Sequence, residues 1–318
     1  MTSEKNATDK PVLCIGITPA VQRTLRFDRL KLGEVNRAKM VKISAAGKAT
    51  NVALVLKLLG DEPLVTGFIG GETGGMIEGF LRMAGIATEF VTMGQPTRVC
   101  VTVMDEGTGQ ITELVEESPA PTDSDWTSFD NTIACLLPGA GMVAISGGLP
   151  PGSADMIYAS VTQKVATLGL PLLIDTKGEP LLNTLQYQPL LVKMNRQELA
   201  VTCGFPAEDD DKALKAARHL IARGAQWVLV THSGEPAWLL NGETLWKLAP
   251  PKVKVVNPIG SGDSVTGGMA FALRQGKSML EAAQFGLACG SANALTLTPG
   301  EVRPEDVHSL LPRVRILS

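Results

Sequence analysis

Six short, nearly uninterrupted apolar runs recur along the chain: PVLCIGIT (11–18), PLVTGFIG (63–70), GMVAIS (141–146), LPLLID (170–175), LLVKMN (190–195) and QWVLVT (226–231). A strand with water on one face alternates apolar and polar residues, whereas one covered on both faces does not. Runs of this kind therefore predict strands of a parallel sheet buried on both sides. Between them, TNVALVLKLLG (50–60), TGGMIEGFLRMAG (73–85), SADMIYASVTQKVATLG (153–169) and DDKALKAARHLIARG (210–224) gather apolar residues on one helical face and close on glycine, a common helix stop. The alternation predicts an α/β fold, a mostly parallel sheet flanked by helices, in a single domain over residues 1–318. Two stretches, 20–45 and 88–117, break the rhythm. They carry strand patterns such as VCVTVMD and QITELVEE without helices between them, and are expected to form a small β-sheet lid.

Composition narrows the class. With 44% hydrophobic and 19% charged residues the chain can bury a substantial core, and with only 4% aromatics that core is aliphatic. The net charge is −3 and no dense basic run is present, which argues against a nucleic-acid partner. The uncharged stretch from Asn131 to Ala154 contains Pro138, Pro150, Pro151 and five glycines, so it reads as helix end, turn, buried strand and loop rather than a membrane span. The five cysteines are widely spaced and form no C-x-x-C pair, so neither a disulfide framework nor structural zinc is expected, and a cytoplasmic setting is. The polar opening MTSEKNATDK lacks a signal-peptide core.

Several motifs are absent. GKAT at 47–50 lacks the upstream glycine of a Walker loop, GSGDSVTG has Val265 where a dinucleotide fingerprint needs glycine, and neither G-x-S-x-G nor H-E-x-x-H occurs. What stands out is NPIGSGDSVTGG, residues 257–268. Gly260, Ser261 and Gly262 precede a helix beginning near Asp263, and a helix start offers unpaired N–H groups and partial positive charge to an anion. Read alone, Asp263 is equally well explained as a helix cap.

VVNPIGSGDSVTGG resembles the C-terminal signature of ribokinase-like sugar kinases, the phosphofructokinase-B family. ISAAGKATNVA is similar to that family's glycine-lysine signature, and TRVCVTV, SGGLPPG, DTKGE and VKMNRQE resemble further blocks of the fructose-1-phosphate and tagatose-6-phosphate kinase branch. The resemblance runs from about residue 11 to 310. It implies direct phosphoryl transfer from ATP to a sugar hydroxyl, with Asp263 as base and the amides of Gly260, Ser261 and Gly262 holding the charge on the moving group. It implies that Asn195 and Glu198, read as sharing one helical face at i and i+3, organise Mg²⁺ and its waters. Lys193 would point at the phosphates, Thr231 and Gly234 would line the nucleotide pocket, and Asn293 would lie on a helix beside the adenine. Gly47, Lys48 and Asn51 match the acceptor signature, and Lys48 and Arg98 supply charge where a substrate phosphate would sit.

The chain departs from the family pattern in places. TPAVQ puts Thr18 and Gln22 where Asn and a sugar-gripping Asp are usual, so Gln22 keeps hydrogen bonding but not charge. Ala46 and Ala49 replace glycines, adding methyl groups near the sugar, and Ser233 and Pro236 stand where the nucleotide loop carries glycines. The preferred acceptor is a ketohexose phosphate: fructose 1-phosphate, fructose 6-phosphate or tagatose 6-phosphate. A kinase for an unphosphorylated sugar or nucleoside, and a non-catalytic sugar or nucleotide sensor, are the alternatives. The lid strands could also pair with the lid of a second copy to give a homodimer.

Overall fold

The computed structural model describes residues 10–206 and 209–317. Its centre is a ten-stranded sheet. Seven strands are parallel, in the spatial order 87–88, 64–66, 12–15, 142–146, 172–175, 191–195 and 227–232. Three antiparallel strands, Glu235–Leu240, Leu245–Ala249 and Arg315–Leu317, extend it at one edge. Each predicted apolar run supplies a central strand, and the reason the runs are continuous is visible in the packing. In Val12–Ile15 all four side chains are buried: Val12 and Cys14 join the core under one face, Leu13 and Ile15 the core under the other. The same sorting holds for Met142 and Ala144 against Val143 and Ile145. Each such aliphatic side chain contributes about 1.5–3 kcal/mol by leaving water. Among the described residues no helix is long and apolar enough to cross a membrane.

After Val12–Ile15 the chain builds strands to one side of it, then returns to the other side with Met142–Ser146. The carboxyl ends of these two strands therefore open a crevice at a switch point, where α/β sheets hold ligands. Two helices begin there: Lys48–Leu58 and Ser261–Arg274. Over the crevice lies the separate four-stranded sheet, ordered 40–46, 20–27, 99–105, 110–115, with a parallel central pair and antiparallel flanks. Its second half starts at Val99, later than the sequence suggests. Ala87–Thr88 joins the edge of the large sheet and Val91–Thr92 pairs with Phe68–Ile69, because both short runs follow the helix Gly71–Met83 back to its own starting strand.

The lid has two unlike faces. Register places Ile43, Arg23, Val101 and Leu114 in one row and Val41, Leu25, Val103 and Thr112 in the next, on the same side. Val41, Ile43 and Leu114 are exposed there. The opposite side carries Gln22, Thr24, Cys100 and Thr102, all buried.

Candidate active site

Gly260 caps the helix Ser261–Arg274 in the left-handed region (φ 81°), and no side chain caps it. A Cβ at Gly260 would lie 2.8 Å from Cα of Pro299, so both the dihedral and the close approach require glycine. Asp263 is thus not the cap but a first-turn residue, and the helix starts at Ser261. Of the three amides expected to hold an anion, that of Ser261 turns back to Pro258 O (3.2 Å), which leaves Gly260 and Gly262 to form the cradle. A Cβ on Gly262 would stand 2.7 Å from Nζ of Lys193, so this ammonium lies directly over the first helical turn.

The Asp263 carboxyl is buried, and Asn51 Nδ2 donates to its Oδ2 at 2.7 Å. Burial pushes its pKa up to about 6, with the Lys48 ammonium pulling the other way. A carboxylate poised near neutrality, held by one directed donor, is suited to take a proton from a hydroxyl. Asn51 spends its NH₂ on this contact, while its Oδ1 is buried with no partner and is left to accept from a guest.

Asp175, the first residue of the DTKGE block, to which the sequence assigned no role, joins the two lysines. Fully buried at the carboxyl end of Leu172–Asp175, it accepts from Lys193 Nζ (2.7 Å) and Lys48 Nζ (2.9 Å). Burial works to raise its pKa, but Lys193 and Lys48 outweigh that and hold it well below the usual carboxylate range. Lys48 also donates to Glu198 Oε1 at 2.8 Å. Burial would lower the Lys48 pKa, yet Asp175, Glu198 and Asp263 together keep it well above the ordinary lysine value. Lys48, expected to supply charge to a substrate phosphate, is thus already engaged by two carboxylates. The sequence signals for Asp175 were its place at the head of DTKGE and a lone charge ending an apolar run at the sheet's carboxyl edge.

Asn195 and Glu198 are adjacent, but not as i and i+3 on one helical face. Asn195 caps the helix Arg196–Cys203, Glu198 N donates to its Oδ1 (2.8 Å), and Asn195 N donates to Glu198 Oε2 (2.9 Å). This reciprocal capping box leaves no vacant oxygen pair on Glu198. Direct cation coordination would have to displace Lys48, whereas a hydrated Mg²⁺ fits Glu198 through water, as that ion prefers. Among the described residues no cluster of three or more His, Cys, Asp or Glu side chains could hold a metal outright.

Lys193, Asn195, Thr231 and Gly234 come together around a cavity of about 600 Å³ that ends at Ser261 and Gly262, with Val265, Leu287 and Ala294 as apolar wall. Ser233 keeps the left-handed shape expected of a glycine there (φ 49°). Asn293 does not line this cavity. It is fully buried behind the cradle, donating to Ile259 O (2.9 Å) and Ser261 Oγ (3.2 Å) and accepting from Gly300 N (2.8 Å). It braces the cradle, while its helix supplies Leu287, Gly290 and Ser291 to the cavity wall. A larger hollow of about 940 Å³ lies at the amino ends of the strands, where Arg274 pairs with Asp61 at 2.8 Å; it is remote from the cradle.

On the acceptor side, Gly47 (φ 112°) approaches Pro19 so closely that a Cβ would sit 2.8 Å from its Cα. Arg98 donates to Thr18 O (2.9 Å) and Glu116 O (3.2 Å), at the root of the lid. Gln22 is buried in the lid, its Nε2 donating to Thr102 Oγ1 at 2.8 Å. The Ala49 methyl is absorbed by Gly16, where a Cβ would come within 2.5 Å of it, and so is turned into the packing.

The sequence matches the pfkB family carbohydrate kinase profile over residues 9–305. The fold is similar to that of a candidate phosphofructokinase from Staphylococcus aureus, at 30% identity and a TM-score of 0.79, covering 96% of this chain and 98% of the other. It is also similar to phosphofructokinase-2 from Escherichia coli in complex with potassium (24%, TM-score 0.88, coverage 96% and 99%). Ribokinase from Arabidopsis thaliana, complexed with ribose and ATP, shares the fold at 22% identity (TM-score 0.74, coverage 95% and 98%).

Proposed function

Because the chain belongs to the pfkB family of carbohydrate kinases, we propose that this sugar kinase uses ATP to phosphorylate a hydroxyl of a ketohexose phosphate by direct in-line transfer. The observation that carries the reading is the placement of Asp263: a buried carboxyl near pKa 6, oriented by Asn51, one turn from an uncapped helix start facing the cavity. Asp263 takes the proton of the acceptor hydroxyl. The freed oxygen bonds to the terminal phosphorus as the bond to the bridging oxygen of the departing ADP breaks. The Gly260 and Gly262 amides and the Lys193 ammonium lie where charge builds on the moving group. Asp175 keeps Lys193 over the helix start. Glu198 would hold Mg²⁺ through water, and that ion supplies neutralisation of phosphate charge when bound. Arg98 is the cation proposed to read the acceptor's own phosphate. The aliphatic lid face of Val41, Ile43 and Leu114 would dock on a second copy, since apolar side chains gathered on one side of a sheet are covered in most folded proteins.

One observation favours a second reading, an unphosphorylated acceptor: of the two cations expected to meet a substrate phosphate, Lys48 is already engaged by Asp175 and Glu198, which leaves Arg98. Measuring ADP release with fructose 1-phosphate, fructose 6-phosphate, tagatose 6-phosphate, ribose, fructose and adenosine separates the two. Turnover confined to the neutral acceptors would overturn the phosphosugar reading.

A further inference from the structure

Lys42 lies on the lid strand Met40–Ala46, in register with Thr24 and Thr102 on the inward side of the sheet. Its Nζ reaches Glu301 Oε2 at 3.0 Å. Among the described residues this is the one ion pair that joins the four-stranded sheet to the body; the pairs of Arg26, Lys31 and Lys39 stay within the lid. The turn that carries Glu301 is not a loose loop. Pro299 is the residue Gly260 packs against, Gly300 donates to Asn293 Oδ1, and a Cβ on Gly300 would stand 2.9 Å from Cα of Asn51. Thr296 Oγ1 donates to Glu301 O (3.2 Å), and Glu301 N donates to Thr298 O (3.2 Å). One short turn therefore forms the back of the cradle, supports the helix that orients Asp263, and presents a carboxylate to the lid.

We propose that Glu301 is a positioning residue: through Lys42 it latches the lid over the crevice, so that enclosure of the acceptor and alignment of the cradle are set by the same turn. The functional half of this inference rests on the kinase reading above; the latch itself does not. Both partners are partly exposed, with side-chain accessibilities of 44% and 37%, so the contact is a reversible and salt-sensitive bias rather than a fixed strut.

The test uses the full chain with Glu301→Gln, Lys42→Gln, the double variant and the charge exchange Lys42→Glu/Glu301→Lys. In the free protein, amide hydrogen exchange over residues 40–46 should quicken in either single variant by a factor of roughly two to five, the range an exposed pair supports. In turnover assays the KM for the acceptor should rise by a similar factor while kcat and the KM for ATP hold. The double variant should be no worse than either single one, and the exchange should restore the parent values. Added salt should raise the parent's acceptor KM by a larger factor than that of the single variants, in which only the acceptor's own charge contacts are left to screen. Unchanged exchange rates over residues 40–46, or single effects that simply add, would overturn the latch. Faster exchange in a protein that phosphorylates none of the acceptors would support the latch and count against the kinase reading alone.

Discussion

The cradle wall and the lid that faces it satisfy their polar groups differently. Around the cradle, glycines are fixed by contacts that admit no side chain, and the charges pair in a continuous chain: Glu198 to Lys48, Lys48 to Asp175, Asp175 to Lys193, with Lys193 over Gly262. In the lid, the central polar contact is a neutral one, Gln22 to Thr102, and three aliphatic side chains of its outer face are exposed. Phosphoryl transfer has the same electrostatic needs whatever the acceptor, so the cradle is closely constrained. An acceptor is told apart by a few hydrogen bonds and shape, and there the chain is free to vary.

The sharpest break of this contrast is Asp263→Asn, expected to lower kcat by about 10²- to 10⁴-fold with ATP binding retained. In the parent, kcat/KM should fall tenfold per pH unit below about pH 6, where Asp263 protonates; the variant should lose that limb. The stability effect has the opposite sign. The folded pKa is about 6 against an ordinary value of 3.8, so the carboxylate costs nothing below about pH 4 and its full penalty above about pH 6, on the order of 3 kcal/mol. Asp263→Asn should therefore raise Tm at pH 8 and leave it unchanged at pH 4.

Next in size is Asp175→Asn, which strands the buried Lys193 without its carboxylate and leaves Lys48 with Glu198 alone. Denaturant unfolding should show a loss of about 3–5 kcal/mol. Smaller and more selective is Arg98→Gln. It should raise KM for a phosphorylated acceptor by roughly tenfold, the scale of one charge-assisted contact, and spare ATP. The mildest is Ile43→Lys, expected to leave the monomer within about 0.5 kcal/mol of the parent and to weaken self-association measured by sedimentation.

The main sheet could be read from the sequence because burial on both faces leaves unbroken apolar runs, and the cradle because a left-handed cap and a close approach both demand glycine. The antiparallel edge was not read from the sequence. Its turn at Asn241–Thr244 carries the Asn-Gly pair typical of hairpins, but the flanking strands lack a clean alternation. The partners of Lys48 were not legible at all. They lie 127 and 150 positions away, and spacing carries no information about charges brought together only by the folded sheet. Asn293 was read onto a helix that walls the cavity, but its bonds to Ile259, Ser261 and Gly300 were not legible, since a motif marks a residue's importance without saying what it touches.

The contact between Gly16 and Ala49 also constrains how this kinase can change. The space between the two backbones holds one methyl group, that of Ala49, so a side chain can be gained at position 16 only after one is lost at position 49. Relatives that carry alanine at both positions should be missing, and any lineage that reverses the pair must pass through the double-glycine intermediate first.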